Sequence, residues 1–386
     1  MKPKSTRQFL ALVTSITAFA AGNAFATQYT WLGTTNTDWA TSSNWNVNGV
    51  AQTNGTFVHR LSVSNTPTNS SKPATYNFPG VTTTYLGDSA SGGRGLVIGS
   101  AGANAGVNST MLISGGTFST LGGLGADIIG NGNTNAGTLT IDGTANSGDA
   151  QFIGIDKGIS FGLGFGSFAT LNIKNGSATL FDLTTNNTTA TINLETGGTL
   201  TMNRLAYAGG GNNIININGG TLKSRTASAT FIATPTNGNT IINVKAAGAI
   251  IDSGHNITIA RPLLEDATSL GGGITKNGTA TLTLGGVSTT TGPAVINAGG
   301  LIIPAGVASW PPSSFSHSGS ILGFNIGVYN PANLAPISTG NLSFNAPISV
   351  NVSGSQFVVG QIPLINYSGT ITGFENLTLN TASLPP

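Results

Sequence analysis

A short unit of alternating apolar and polar residues recurs along most of this chain, and it limits the possible folds more than any other feature. Each copy runs apolar, polar, apolar, then a turn that contains glycine, then a second short apolar stretch; residues 192–200 (INLETGGTL) and 215–222 (ININGGTL) are typical. Counted by the last glycine of each turn, successive copies lie 27, 33, 22, 22, 28 and 30 residues apart. Those glycines are Gly116, Gly143, Gly176, Gly198, Gly220, Gly248 and Gly278. A repeat of this length predicts stacked coils with loops of variable size between them.

A single unit is too small to bury its own apolar side, so neighbouring units must stack on one another. Ile192 and Leu194 would point inward while Asn193 points out, because successive side chains of a strand alternate between its two faces. We therefore expect an all-β protein, a right-handed parallel β-helix (β-solenoid) with an N-terminal cap; the handedness follows from the general preference of parallel crossovers. At about 25 residues and about 4.8 Å per coil, the chain would form roughly 14 coils.

Four outward asparagines, Asn172, Asn193, Asn216 and Asn243, occupy the same place in successive units. Two interpretations are open: a hydrogen-bonding face for sugars, or a solvated strand face with amide stacking between coils. The second is favoured, because exposed polar residues are the norm on protein surfaces.

The composition is compatible with this fold and argues against several others. Charged residues make up 7% of the chain, against about 25% in an average soluble protein, whereas hydrophobic residues make up 39%. The formal net charge of +2 and the scattered Lys and Arg residues argue against nucleic acid as a partner. The chain has no cysteine, so no disulfide holds the fold together.

The first 26 residues have the features of a secretory signal peptide. A basic start with Lys2, Lys4 and Arg7 precedes an apolar stretch over residues 9–21, and Ala24-Phe25-Ala26 offers small residues at a cleavage site. The apolar stretch is too short for a membrane span of about 20 residues, and no later segment reaches that length uninterrupted. We expect an exported mature chain without a transmembrane helix.

Residues 274–301 carry a longer motif. Residues 274–286 read ITKNGTATLTLGG, and Thr291-Gly292 is followed by VINAGGL at residues 295–301. These segments resemble the autotransporter-associated β-strand repeat, which has a Lys-x-Gly-x-Gly-x-Leu-x-Leu run, a Tyr-Thr-Gly-type turn and Val-x-Ala-Gly-x-Leu. Ala280 replaces the second glycine of that pattern, and no Tyr precedes Thr291.

The resemblance implies a β-helical passenger on the outer surface of a Gram-negative cell, commonly followed by an outer-membrane β-barrel. No barrel-like block of strands and no sorting helix is recognisable before the sequence ends at Pro386. This leaves open a truncated chain, a released protein or one held at the surface by partners.

The expected organisation has four parts: a signal peptide (1–26), an N-terminal cap with the first strands (27–90), repeat coils (91–304) and closing coils (305–386). The expected function is a structural or adhesive role, secreted or on the cell surface, without catalytic activity or a cofactor. The alternative is a β-helix that binds or cleaves polysaccharide. Extracellular polysaccharide and cell-surface components are therefore the expected partners.

Three of the four tryptophans, Trp31, Trp39 and Trp45, lie close together near the start of the mature chain. Aromatic faces can stack on sugar rings, which makes these three the candidate binding residues of the sequence. The alternative, which is favoured, is that they close the end of the β-helix, where an uncovered coil would invite edge-to-edge association.

Candidates for catalysis or metal binding are few. Residues 122–130 fit a single copy of a calcium-binding nonapeptide with Asp127 as a candidate ligand, although one copy in a glycine-rich chain is expected by chance. Stacked coils could bring several aspartates together beside Lys157, but aspartate is also common in turns. These aspartates are Asp127, Asp142, Asp149 and Asp156.

The three histidines, His59, His255 and His317, are widely separated in the sequence. No pair of them has the spacing of metal ligands, and each is expected at the surface. The sequence therefore predicts no metal centre built on histidine.

Overall fold

The computed structural model shows a chain made almost entirely of short β-strands. Within the described residues, every pairing between two strands is parallel and joins a coil to one that follows it. The predicted parallel β-helix is therefore confirmed. The structure describes residues 28–33, 35–45, 55–58, 60–63, 72–86, 94–99, 108–121, 126–130, 136–162, 167–186, 188–207, 209–235, 238–304, 308–328, 334–355 and 361–384.

One sheet shows the stacking most directly, because each coil contributes a single strand to it. In the described part of the chain it has 14 strands in strict sequence order, which matches the roughly 14 coils expected from the repeat. The strands are Gln28–Trp31, Arg60–Val63, Leu96–Ile98, Asp127–Ile129, Ile159–Phe161, Asp182–Thr185, Arg204–Tyr207, Ser228–Ile232, Ile257–Ile259, Thr281–Leu284, Gly300–Pro304, Ile321–Val328, Ile348–Ser355 and Leu377–Leu379.

A second sheet covers two further sides of the coils. Asn108–Leu121 pairs with two later strands, Ala136–Asp142 and Ala150–Gly154, so one long strand is followed by two short ones. The 19 strands of this sheet are Gly55–Val58, Ala74–Leu86, Asn108–Leu121, Ala136–Asp142, Ala150–Gly154, Phe168–Lys174, Ser177–Leu180, Thr189–Glu195, Thr199–Met202, Gly211–Asn218, Thr221–Ser224, Gly238–Val244, Ala249–Asp252, Leu263–Glu265, Ile274–Asn277, Ala294–Ile296, Ser314–His317, Asn341–Phe344 and Ile371–Thr372.

The remaining regular elements are short. Ile337–Thr339 and Ile365–Tyr367 pair with each other near the C-terminal end. Single 3-10 turns are formed by Ser42–Asn44, Thr144–Asn146, Phe374–Asn376 and Thr381–Ser383.

Aliphatic side chains fill the interior in continuous columns. Leu171, Ile192, Ile215 and Ile242 are register partners on successive coils, and all four are buried. A parallel column runs beside it through Ile173, Leu194, Ile217 and Val244. Each such side chain contributes about 1.5–3 kcal/mol when it is removed from water. The apolar positions of the repeat thus supply the core that a single unit lacks.

The coils differ in length. Ser177, Thr199 and Thr221 are register partners, so two consecutive coils take 22 residues each. Glycine permits the close approach of coils at some corners: a Cβ on Gly158, where φ is +75°, would lie 1.8 Å from the Asp182 carbonyl oxygen. Corners of this kind allow short coils without a gap in the stack.

Coil stacking begins at the first described strand. Gln28–Trp31 already pairs with Arg60–Val63, and parallel pairing continues to Leu377–Leu379 across the expected boundaries at residues 90 and 304. The predicted signal peptide lies outside the described residues. Within those that are described, no helix is long and apolar enough to cross a bilayer.

Candidate functional site

The three tryptophans that were the candidate sugar-binding residues are buried. Trp31 and Trp39 have no exposed surface, and Trp45 is 4% exposed. The ring of Trp45 meets the other two edge-on, with centroids 5.1 Å from Trp31 and 4.8 Å from Trp39. The binding prediction is therefore corrected, because no indole face is open to a ligand. Burying such large apolar rings stabilises the fold more than exposing them would.

These tryptophans belong to an aromatic core in the first coils. The ring centroid of Trp39 lies 5.7 Å from those of Tyr76 and Phe118, and Phe118 stacks on Phe152 of the next coil at 6.1 Å. The indole N–H of Trp45 donates to the Trp39 carbonyl oxygen at 2.9 Å. The cluster thus fills the N-terminal coils of the rod, which supports a capping role.

Asp127, the candidate calcium ligand, is also buried. Its carboxyl oxygens accept hydrogen bonds from the Leu96 N–H at 2.7 Å and from the Thr120 hydroxyl at 2.5 Å. Burial raises the pKa of Asp127 to about 6, although the hydrogen bonds from Thr120, Leu96 and Gly95 oppose the rise. Both carboxyl oxygens accept hydrogen bonds from within the fold, so Asp127 has a structural role and is not open to a calcium ion. Residues 122–125 of the nonapeptide lie outside the described residues.

The other aspartates are engaged separately. Asp142 accepts hydrogen bonds from the N–H and hydroxyl of Thr144 in a turn, and Asp149 accepts one from the Gly80 N–H at 2.7 Å. Asp156 is exposed in another turn. Partial burial would raise the pKa of Asp142, but the hydrogen bonds from Thr144 bring it below the usual value. These carboxylates are used mainly to shape turns.

Metal binding receives no support from the described residues, in which no three His, Asp or Glu side chains are grouped to hold an ion. His255 is exposed, as expected. His59 lies outside the described residues.

His317, which was expected at the surface, lies in the interior. The Gly319 N–H donates to its Nδ1 at 3.1 Å, so Nε2 carries the proton and donates to the Ile321 carbonyl at 3.1 Å. Burial lowers the pKa of His317 to about 4; the bond to Ile321 opposes the fall and the charge of Lys276 adds to it. The ring is therefore neutral near pH 7 and caps a turn from inside.

Lys276, in the family-like motif, also points into the helix and has no exposed surface. Its Nζ donates to the carbonyl oxygens of Asn277 at 3.1 Å, Gly278 at 2.7 Å and Ala298 at 2.9 Å. Burial lowers its pKa to about 8, and the Asp252 carboxylate opposes the fall. The lysine of this motif thus closes a turn and ties it to the next coil.

The outward asparagines form a hydrogen-bonded ladder. Asn193 donates to Asn172 at 2.8 Å, Asn216 to Asn193 at 2.8 Å, and Asn243 to Asn216 at 3.0 Å, always from Nδ2 to Oδ1. Asn172 continues the series by donating to the Thr140 hydroxyl at 3.1 Å. The favoured interpretation, amide stacking between coils, is confirmed. In the inner residues of the ladder, both Nδ2 and Oδ1 are hydrogen-bonded to neighbouring amides. The main effect of the ladder is therefore to stiffen this strand face.

A column of hydroxyl-bearing residues, the hydroxyl column, runs along an adjacent side of the rod. Its twelve members are register partners on successive coils, all are at least partly exposed, and nine are Ser or Thr. They are Thr82, Thr117, Gln151, Ser177, Thr199, Thr221, Ile250, Thr275, Val295, Ser316, Ser343 and Thr372. At about 4.8 Å per coil the column extends on the order of 50 Å. This column was not predicted from the sequence, although Gly-Thr or Gly-Ser directly after the repeat turn is its signal.

A polar groove lies at the corner between the amide ladder and the hydroxyl column. This corner groove has a volume of about 450 Å³ and crosses the turns of three successive coils. Its lining consists of four glycines and five polar residues, which are Thr144, Ser147, Asn175, Ser177 and Thr199. It is the best candidate site in the described part of the chain, because it gathers several neutral hydrogen-bonding groups in one concave place.

Comparisons of the chain with protein-family models, with curated proteins and with solved structures each give no match. The resemblance to autotransporter repeats therefore stays a prediction from the sequence.

Proposed function

We propose that this protein is an exported β-helical rod with a structural or adhesive role, on the surface of a Gram-negative cell or in the surrounding matrix. The observation that supports this proposal is the hydroxyl column, which presents a Ser or Thr side chain on nine of twelve successive coils along the rod. Because a β-helix is stiff along its axis, such groups keep fixed positions and can meet a repetitive partner at many points.

The rest of the described surface agrees with a contact role more than with catalysis. Each described aspartate lies in a turn, in the interior or in an ion pair, as Asp182 does with Arg204 and Asp252 with Lys223. Lys276 and His317 face inward in the core. The basic and apolar pattern of residues 1–26 adds support for export.

Export can be tested in a Gram-negative host by N-terminal sequencing and by protease accessibility on intact cells. Processing near residue 27 together with digestion by external protease would agree with the proposal. Leu12→Arg should block both because it interrupts the apolar stretch, whereas Ser42→Arg, at an exposed position after the cleavage site, should block neither. An unprocessed protein that stays in the cytosol would refute it.

The second candidate function is carbohydrate binding, and the corner groove favours it. Uncharged hydroxyl and amide groups are suitable partners for sugar hydroxyls, since each can donate or accept a hydrogen bond. Cleavage of polysaccharide is less well supported, because Asp142 and Asp149, which adjoin the lining residues Gly143 and Gly148, accept hydrogen bonds from Thr144 and from the Gly80 N–H.

A further inference from the structure

We propose that the corner groove binds a neutral glycan that lies across three coils. The proposal deepens the adhesive role given above and rests on it for the biological setting, but the binding itself can be measured on purified protein.

The backbone of the groove is unusual within the rod. Ser147 and Asn175 have left-handed backbone angles, with φ of +54° and +45°. Among the described residues, the other 19 positions with positive φ are all glycine. The two non-glycine exceptions both line this groove. A left-handed angle costs a side-chain-bearing residue about 1–2 kcal/mol, least for asparagine, so glycine would be the cheaper choice at both positions. A role for the two side chains explains their presence.

The groove also holds polar groups that the fold leaves available. Within the described residues, the hydroxyls of Ser147, Ser177 and Thr199 have no hydrogen-bond partner. Asn175 Nδ2 donates to the Thr144 hydroxyl at 3.0 Å, which fixes the amide at the edge of the groove. Three unused hydroxyls and one oriented amide can hydrogen-bond several sugar hydroxyls at once.

Charge and shape define the class of ligand. No lining residue is charged. Asp142 and Lys174, which are register partners beside the groove, carry opposite charges, and the carboxylates of Asp149 and Glu195 lie one and two residues from the lining residues Gly148 and Gly197. Uncharged walls with these flanking carboxylates offer no attraction to an anionic polymer. Two coil spacings give a length of about 10 Å along the rod axis, which suits two linked pyranose rings. The expected ligand is therefore an uncharged polysaccharide segment and not an acidic one.

Four of the nine lining residues are glycine, and at two of them the coils pack too closely for a side chain. A Cβ on Gly197 would lie 2.2 Å from Asn175 Oδ1, and a Cβ on Gly143 would lie 2.2 Å from the Asn175 carbonyl oxygen. Larger residues at these positions would push Asn175 from its place. The turns that make the coils compact therefore also shape the site.

The test uses variants that remove groups from the groove without straining the backbone. Ser147→Gly combined with Asn175→Gly deletes both side chains at positions where glycine is favourable, so the melting temperature should not fall. Thr199→Val removes one hydroxyl and keeps the β-branched shape. Thr275→Val is the matched control, because Thr275 belongs to the same hydroxyl column and is similarly exposed but lies outside the groove.

Binding would be measured by calorimetry and affinity electrophoresis with dextran and laminarin as neutral glucans and polygalacturonate as an acidic comparison. We expect the native protein to bind a neutral glucan, the glycine double variant and Thr199→Val to bind at least ten-fold more weakly, and Thr275→Val to remain within two-fold. No binding of either glucan would overturn the proposal, as would equal binding by all variants or preferential binding of polygalacturonate. A cytosolic location would refute the proposed function. Whether the groove binds a neutral glycan would still be decided by the binding measurement.

Discussion

Lowering the pH from 7 to 4.5 is expected to weaken the C-terminal coils of the rod and to strengthen the N-terminal ones. His317 causes the first effect. Its pKa is about 4 in the folded protein and 6.5 in the unfolded chain, so between these values the unfolded state binds more protons. The stability that the neutral ring provides is present above pH 6.5 and is lost as the pH falls toward 4. At pH 4.5 the loss is about 2–3 kcal/mol, since one pKa unit corresponds to about 1.4 kcal/mol.

Asp127 acts in the opposite direction. Burial raises its pKa from 3.8 to about 6, so the folded state binds more protons than the unfolded state between these values. The stability contributed by the protonated carboxyl is lost as the pH rises through 6 and is regained on acidification. At pH 4.5 the gain is about 2 kcal/mol.

The two effects do not cancel, because a stacked-coil protein unfolds locally and each coil depends on its immediate neighbours. Asp127 lies in the fourth strand of the 14-stranded sheet, whereas His317 lies between the eleventh and twelfth. Hydrogen exchange measured by mass spectrometry at both pH values, corrected for the intrinsic rates, should show this. We expect protection of peptides covering residues 314–328 to fall by about fifty-fold, and protection of residues 96–98 and 127–129 to rise by about thirty-fold.

Two variants isolate the groups responsible. His317→Gln should abolish the acid-induced loss in the C-terminal coils, and Asp127→Asn, which keeps an acceptor for the Leu96 N–H, should abolish the gain in the N-terminal coils. Opposite roles for His317 and Asp127 are refuted if both ends of the rod respond alike to pH, or if the responses persist in the variants.

Three further perturbations test the packing of the coils. Gly158→Ala should lower the free energy of unfolding by several kcal/mol, because its Cβ would collide with the Asp182 carbonyl. Gly254→Ala, with open space around it, should stay within about 0.5 kcal/mol of the native protein in urea unfolding. Equal effects of the two variants would contradict close packing at Gly158. Asn193→Ala should cost about 1–2 kcal/mol by breaking two ladder hydrogen bonds, and unchanged thermal unfolding would show that the ladder does not stabilise the fold. Trp39→Ala should cost about 3–5 kcal/mol and expose the N-terminal coils to limited proteolysis, and a cleavage pattern like that of the native protein would argue against the cap.

The alternation within strands was enough to predict much of this molecule. Period-two patterning places Ile192 and Leu194 inside and Asn193 outside, because successive side chains of a strand must face opposite sides. The same rule places Lys276 two residues after buried Ile274, and His317 two residues after buried Phe315. Their interior positions were therefore readable from the pattern. They were missed because charged and titratable residues are expected in solvent unless partners inside the fold satisfy them.

The tryptophans and the groove depended on tertiary structure. Trp39 and Trp45 lie in or beside an irregular turn, where no alternation indicates which side is buried. The groove depends on backbone angles that sequence does not reveal: in Asn175-Gly176 the asparagine is left-handed, whereas in Asn277-Gly278 the glycine is.

The sequence by itself thus determined the coil, its core columns and its amide ladder, because these follow from side-chain alternation within one strand and its repetition. The burial of the tryptophans and the shape of the corner groove were decided only when coils 22 or more residues apart came into contact. At a corner, the fit of one turn on the next selects the backbone angle, and no local pattern contains that information.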